Sequence, residues 1–322
     1  MRAYILEDHT TPPRLAEIAQ PVPGPGQILV KIAACGLNFA DLLMVDGKYQ
    51  DTPPPPFTMG MELAGTVVGH GPGVSAPRVG ARVAIFAGQG GLAEYGVFDA
   101  ARAVEIPEGM PFAQAAGFLV AYGTSHLALT RKAGLKAGER LVVLGAAGGV
   151  GLSAVALGAA MGAEVVAVAR GADRLAVAQT AGAHHLIDSR DGDLAARLKA
   201  LGGVDVVYDA VGGADFDAAL RATRPEGRIL TIGYASGVVP QIPANLLLVK
   251  NISVMGFYWG GYLRFAPEVL NNSLTELMAL YAAGQITPHI SATLPLDRAA
   301  EALALLRDRK STGKVVVTIT PA

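Results

Sequence analysis

The segment Gly145-Ala146-Ala147-Gly148-Gly149-Val150-Gly151 could do chemistry through its backbone rather than its side chains. It follows the β-type run Leu141-Val142-Val143-Leu144 and leads into an alanine-rich helical stretch. Aligned on its last glycines it reads A-x-G-x-x-G, with Ala146 where the common fingerprint has its first glycine. Gly148 would let backbone approach a pyrophosphate, and Gly151 would let the helix pack closely on the strand. Phosphate charge would then rest on the free N–H groups that open the helix. Strand, glycine turn and helix in that order, followed by further β-type runs, point to a dinucleotide.

The next apolar run says which one. Glu164-Val165-Val166-Ala167-Val168-Ala169 ends in Arg170, with Arg174 one helical turn further on. An NAD site wants a carboxylate at this strand end to accept from the ribose 2′-hydroxyl. Two guanidinium groups suit a 2′-phosphate instead, in charge-assisted and often bidentate geometry. The expected cofactor is NADPH, with Asp173 close enough in sequence to compete for the arginines.

These residues need a frame. At 322 residues the chain is too long for one ordinary core, and with 51% hydrophobic and 16% charged residues it has ample apolar surface to bury. Residues 1–121 are rich in Pro and Gly, with short β-type runs such as 28–32, 64–68 and 82–86, which predicts a mostly-β, barrel-like domain. From 122 to 258 apolar runs at 140–145, 164–169, 184–187, 205–210, 228–233 and 252–257 alternate with helical stretches. Near-continuous apolar strands of this kind predict a parallel sheet covered on both faces, and six strands match a doubly wound dinucleotide fold, so the fold class is α/β. Residues 259–322 hold helical stretches at 273–283 and 296–308 and end in Lys314-Val315-Val316-Val317-Thr318-Ile319, a strand expected to return to the first domain.

Several function classes are disfavoured. The net charge is −1 with no block of like charges, so nucleic acid and acidic membrane have no electrostatic footprint. Residues 141–163 carry no charge, yet the glycines near their start favour a strand and helix over a membrane span. The lone Cys35 allows no intrachain disulfide, and acids at Glu7 and Asp8 interrupt any signal-peptide pattern, which fits a cytoplasmic protein.

Six elements occur in order along the chain: Gly36-Leu37-Asn38-Phe39-Ala40-Asp41, Gly60-Met61-Glu62-Leu63-Ala64-Gly65, Ala121-Tyr122-Gly123-Thr124, residues 145–151, Tyr208-Asp209-Ala210-Val211-Gly212 and Ser311-Thr312-Gly313-Lys314-Val315-Val316. Together they resemble the quinone oxidoreductases of the medium-chain dehydrogenase/reductase superfamily, the zeta-crystallin-like proteins, over essentially the whole chain. The resemblance implies a GroES-like catalytic domain made by both chain ends, an inserted Rossmann domain, an NADPH cleft between them, and a homodimer in which residues 252–257 pair across the interface. It implies cofactor contact at Asn38, Thr124, Ala147, Gly148, Gly149, Val150, Arg170, Arg174, Gly233 and Tyr234. Gly151 and Phe257 join the expected cofactor residues, and Tyr49 aligns with a tyrosine lining the nicotinamide pocket. Ser189 departs from the pattern, since many relatives carry a tyrosine there.

Zinc-dependent members of the superfamily place ligands where this chain has Asn38, Met61 and Ala116. A catalytic zinc needs three N, S or O protein ligands, which this set does not offer, so no metal is expected. Without a Lewis acid, a quinone or conjugated carbonyl is the easier acceptor, because conjugation spreads the developing charge. The expected catalytic residues are Asn38, Tyr49 and Thr124, with Tyr49 and the Asn38 amide as hydrogen-bond donors and water as proton source. Reduction of an enone or enoyl thioester remains open, as does a non-catalytic NADPH-binding structural or sensing role. The six histidines lack metal-ligand spacing, and Asp41 reads as a buried acid bonded to backbone. Phe257-Tyr258-Trp259 would either stack on a flat substrate or pack at an interface.

Overall fold

Residues 1–319 are described by a computed structural model and divide into two compact units. Residues 1–120 and the segment from 288 onward make the first; residues 121–287 make the second.

The first unit is β-rich, and strand Gln27–Leu37 is its spine. Its first half pairs with Tyr95–Asp99, its second half with Lys314–Thr318, and Glu62–His70 runs along its other side, all antiparallel. Arg82–Phe86 and Ala103–Glu105 extend the sheet beyond Glu62–His70. Alternate residues Ile28, Val30 and Ile32 point into the core, where they meet Leu63, Val83, Ile85, Val315 and Val317. Ile290–Pro295 and Lys314–Thr318 are parallel neighbours, with helix Ala299–Arg307 between them in sequence. The last strand thus belongs to the first unit's sheet.

The second unit holds six parallel strands: Arg140–Leu144, Glu164–Ala169, His185–Asp188, Val204–Asp209, Thr223–Thr231 and Ser253–Gly256. Numbered one to six along the chain, they lie in the order 3-2-1-4-5-6, the doubly wound arrangement. Their central residues are fully buried, which accounts for the near-continuous apolar runs. The uncharged stretch 141–163 resolves into strand Arg140–Leu144 and helix Gly149–Ala160. Among the described residues no helix is long and apolar enough to cross a membrane.

One boundary differs from expectation. The chain enters the first unit again at Pro288 rather than at 259. Helix Pro267–Ala282 stays with the second unit, burying Leu270, Leu274 and Leu277, and its Ser273 lies 2.8 Å from His126 Nδ1. Nothing in the local pattern announces this, because the helix is amphipathic and could cover either sheet.

Candidate functional site

Because all six strands of the second unit are parallel, the residues following each strand share the C-terminal edge of the sheet, where doubly wound folds bind ligands. After the first strand comes the glycine turn. Gly145 has φ +75, so the tight-turn conformation falls on it and not on Ala146, which is buried in ordinary geometry. The missing first glycine of the fingerprint is therefore supplied one residue earlier. A Cβ on Gly151 would stand 2.1 Å from the Gly145 carbonyl oxygen, so the helix seats against the turn only with glycine there. A Cβ on Gly148 would meet nothing nearer than 3.4 Å, which leaves an open face on the turn. Gly148 caps helix Gly149–Ala160, and the amides of Gly149, Val150 and Gly151 precede its first intrahelical donors. The arrangement fits a pyrophosphate.

A chain of hydroxyls lies behind that helix. Tyr208 OH is 2.9 Å from Ser125 Oγ, which is 2.8 Å from Ser153 Oγ and 2.9 Å from the Val150 carbonyl. Ser153 Oγ also reaches the Ala121 and Val150 carbonyls. Burial pushes the Tyr208 hydroxyl well above its usual range, so it stays protonated.

At the fourth strand, Asp209 is fully buried. Its Oδ1 accepts the Val211 and Gly212 N–H groups at 2.8 and 2.9 Å, while Oδ2 has no partner. Burial raises its pKa against those two bonds, which lower it. Its carbonyl accepts Ile232 N–H at 2.8 Å, and Gly233 N–H at 3.3 Å, so Asp209 ties the fourth and fifth strand ends together. Tyr234 follows Gly233, is 41% exposed, and lies against Gly212. The aspartate-x-valine-glycine sequence was the available signal for this anchor.

Arg170 is exposed and Arg174 half-buried on either side of Gly171. Burial raises the pKa of Asp215, and the nearby Arg170 draws it down. Thr124 is buried in helix Leu119–Leu127. Beside it, Trp259 packs flat against Gly123, where a Cβ would stand 2.7 Å from the indole ring. Phe257 is buried, with its ring centroid 5.7 Å from that of Tyr262. Packing within the second unit accounts for both rings. His126 is buried between Ser273 and Glu276; burial lowers its pKa, opposed by Glu276.

In the first unit, Asn38 stands at the start of helix Phe39–Val45. Its Nδ2 donates to Glu62 Oε1 at 2.9 Å, and its Oδ1 accepts from Lys314 Nζ at 2.7 Å, so partners fix the orientation of the carboxamide. Lys314 Nζ also donates to Glu62 Oε1 and to the Leu37 carbonyl, both at 2.8 Å, which uses all three ammonium protons. Glu62 Oε2 accepts Val120 N–H at 3.0 Å. The Lys314 and Glu62 side chains are 5% and 1% exposed. Sequence reasoning did not single out this pair, although two charges inside apolar strands were the signal. Asp41 is buried beneath Asn38, whose N–H it accepts at 2.7 Å; burial pushes its carboxyl up to about 7, against that bond. Tyr49 lies beyond the same helix, half-buried against the first unit's core. Met61 and Ala116 are buried, and among the described residues no group of three His, Cys, Asp or Glu side chains could hold a metal.

Residues 24–108 match the alcohol dehydrogenase GroES-like domain, and residues 149–279 match the zinc-binding dehydrogenase family. A quinone oxidoreductase-like protein 2 homologue of Nematostella vectensis is 40% identical over 91% of this chain and 82% of its own length. The quinone oxidoreductase of Thermus thermophilus, solved also in complex with NADPH, is 32% identical, covers 99% of this chain and 100% of its own, and superposes with a TM-score of 0.88. The Escherichia coli quinone oxidoreductase complexed with NADPH is 30% identical over the same shares, with a TM-score of 0.90. The chain belongs to the quinone oxidoreductase branch of the medium-chain dehydrogenase/reductase superfamily, a family of oxidoreductases.

Proposed function

We propose that the protein is a zinc-independent NADPH:quinone oxidoreductase. The observation that carries this reading is the buried Lys314–Asn38–Glu62 network. Lys314 places a full positive charge 2.7 Å from Asn38, at the position where zinc-dependent members hold their first ligand. An ammonium there repels a divalent cation, and the neighbouring Met61 and Ala116 offer it little. The turn of residues 145–151 and the arginines at 170 and 174 support NADPH, as do relatives solved with it.

Bound NADPH supplies the hydride. The chain supplies the electrostatics for a conjugated carbonyl. Lys314 on Asn38 Oδ1 polarises the carboxamide and strengthens its N–H donors. One of these goes to Glu62; the other has only the Gly36 carbonyl at 3.5 Å, too long for a good bond, and is left for the acceptor oxygen. Tyr49, as a second hydrogen-bond donor, and Thr124 are the other two residues assigned to catalysis in this reading. The hydride carries two electrons and one proton and takes the quinone to the hydroquinone anion, and a second proton, from water, gives the neutral hydroquinone. Steady-state rates with NADPH should favour a benzoquinone over a 2-enoyl thioester by kcat/KM. The opposite preference would assign the protein to double-bond reduction, and binding of NADPH without turnover of either would assign it a non-catalytic role.

We also propose a homodimer. Strand Ser253–Gly256 is the last of its sheet, with one side unpaired, and Val238, Val239, Ile242, Leu248 and Val249 are exposed just before it. Light scattering should give twice the 33.0 kDa chain mass, and Val254→Pro, which removes an edge donor, should shift the protein toward monomer. A monomeric native protein would remove this proposal.

A further inference from the structure

The second and third strands of the six-stranded sheet run side by side with Ala169 opposite Asp188, so the residues after each form one surface. Asp188 is a carboxylate one strand away from the place where an NAD-reading acid would stand. Its own bonds decide what it can do there. Oδ1 accepts from the Arg190 backbone N–H and from Arg190 Nε, each at 3.0 Å. Oδ2 accepts from Gly171 N–H at 2.9 Å and from Arg190 Nη2 at 2.6 Å. A carboxylate offers about four lone-pair sites, and these four donors fill them. Asp188 therefore has no acceptor left for a ribose hydroxyl, and its charge is cancelled by the guanidinium it holds.

The same bonds aim Arg190. Its fork is drawn back over Gly171, where a Cβ would stand 3.2 Å from Nη2. Gly171, at φ +87, is the residue between Arg170 and the helix Ala172–Thr180 that carries Arg174. Arginine has five N–H donors, and two side-chain donors go to Asp188, which leaves three facing outward on a group that is 65% exposed. Ser189, next door, is too short to cover the position. Resting on the NADPH reading above, we propose that Arg190 is a third reader of the cofactor 2′-phosphate, beside Arg170 and Arg174, and that Asp188 positions it. Asp188 thus works for the phosphate, through a guanidinium, instead of against it.

Binding titrations on the full chain test this with four ligands: NADPH, NADH, adenosine 2′,5′-bisphosphate and 5′-AMP. Arg190→Ala should weaken NADPH and the 2′,5′-bisphosphate about tenfold and leave NADH and 5′-AMP unchanged, the loss of one charge-assisted contact. Arg190→Lys should restore part of the loss. Asp188→Asn should weaken the two phosphate-bearing ligands and not the others, whereas a purely structural role at this turn would move all four together. If the native protein prefers NADPH and Arg190→Ala keeps that preference intact, Arg190 does not read the phosphate. If the native protein shows no preference, and Arg170→Ala/Arg174→Ala changes nothing, the cofactor reading itself falls.

Discussion

Lys314→Met is expected to destabilise the first unit by about 3–5 kcal/mol, seen as a lower denaturant midpoint for that unit's transition. The substitution leaves Glu62, 1% exposed, with a buried negative charge facing the Asn38 amide and Val120 N–H alone. The Leu37 carbonyl and Asn38 Oδ1 lose their donor at the same time. Glu62→Gln alone should cost a similar amount, because it strands an ammonium instead. The combined Lys314→Met/Glu62→Gln variant should lose less than half the sum of the two, since no uncompensated charge remains. Simple additivity would show that the ion pair is not the unit of stability here. Activity is expected to fall in all three, because the Asn38 carboxamide loses the partners that orient it.

Gly148→Ala and Gly151→Ala should separate cleanly, although the two glycines belong to one turn. At Gly148 the backbone has φ −79 and ψ 172, which alanine adopts freely, and the added Cβ meets only the Gly145 carbonyl oxygen at 3.4 Å. Stability should stay within ~0.5 kcal/mol of the native protein, while NADPH affinity falls on the order of 100-fold as the methyl group enters the phosphate space. At Gly151 the Cβ would press to 2.1 Å from backbone, so the helix must retreat. That should cost about 1–3 kcal/mol of stability as well as the cofactor. Native-like NADPH binding by Gly148→Ala would mean that the turn is a packing device and not a phosphate cradle.

Much of the second unit was legible because its strands are buried on both faces and its turns need glycine. Both properties are local, and both leave marks in a short window of sequence. The A-x-G-x-x-G alignment put Ala146 where the fingerprint has its first glycine, and spacing alone does not show that Gly145 takes the positive φ. Lys314 and Glu62 are 252 residues apart and meet only because the final strand pairs with Gln27–Leu37, a pairing that no local pattern encodes. Asp188 and Arg190 were hidden for a different reason. They are close in sequence, but their importance comes from Gly171 on the neighbouring strand end. The boundary at Pro288 was missed because an amphipathic helix states only that it covers something, not which sheet.

The first unit's sheet is stitched from segments that lie far apart in the chain. Lys314 closes onto Leu37 across 277 residues. At a ribosomal pace of ~5–20 residues per second, the second half of Gln27–Leu37 waits tens of seconds for its neighbour, while residues 121–287 are contiguous and can mature first. A nascent chain therefore carries an exposed strand edge and an orphan Glu62 while residues 121–287 are made, and the strand that covers them arrives only afterwards.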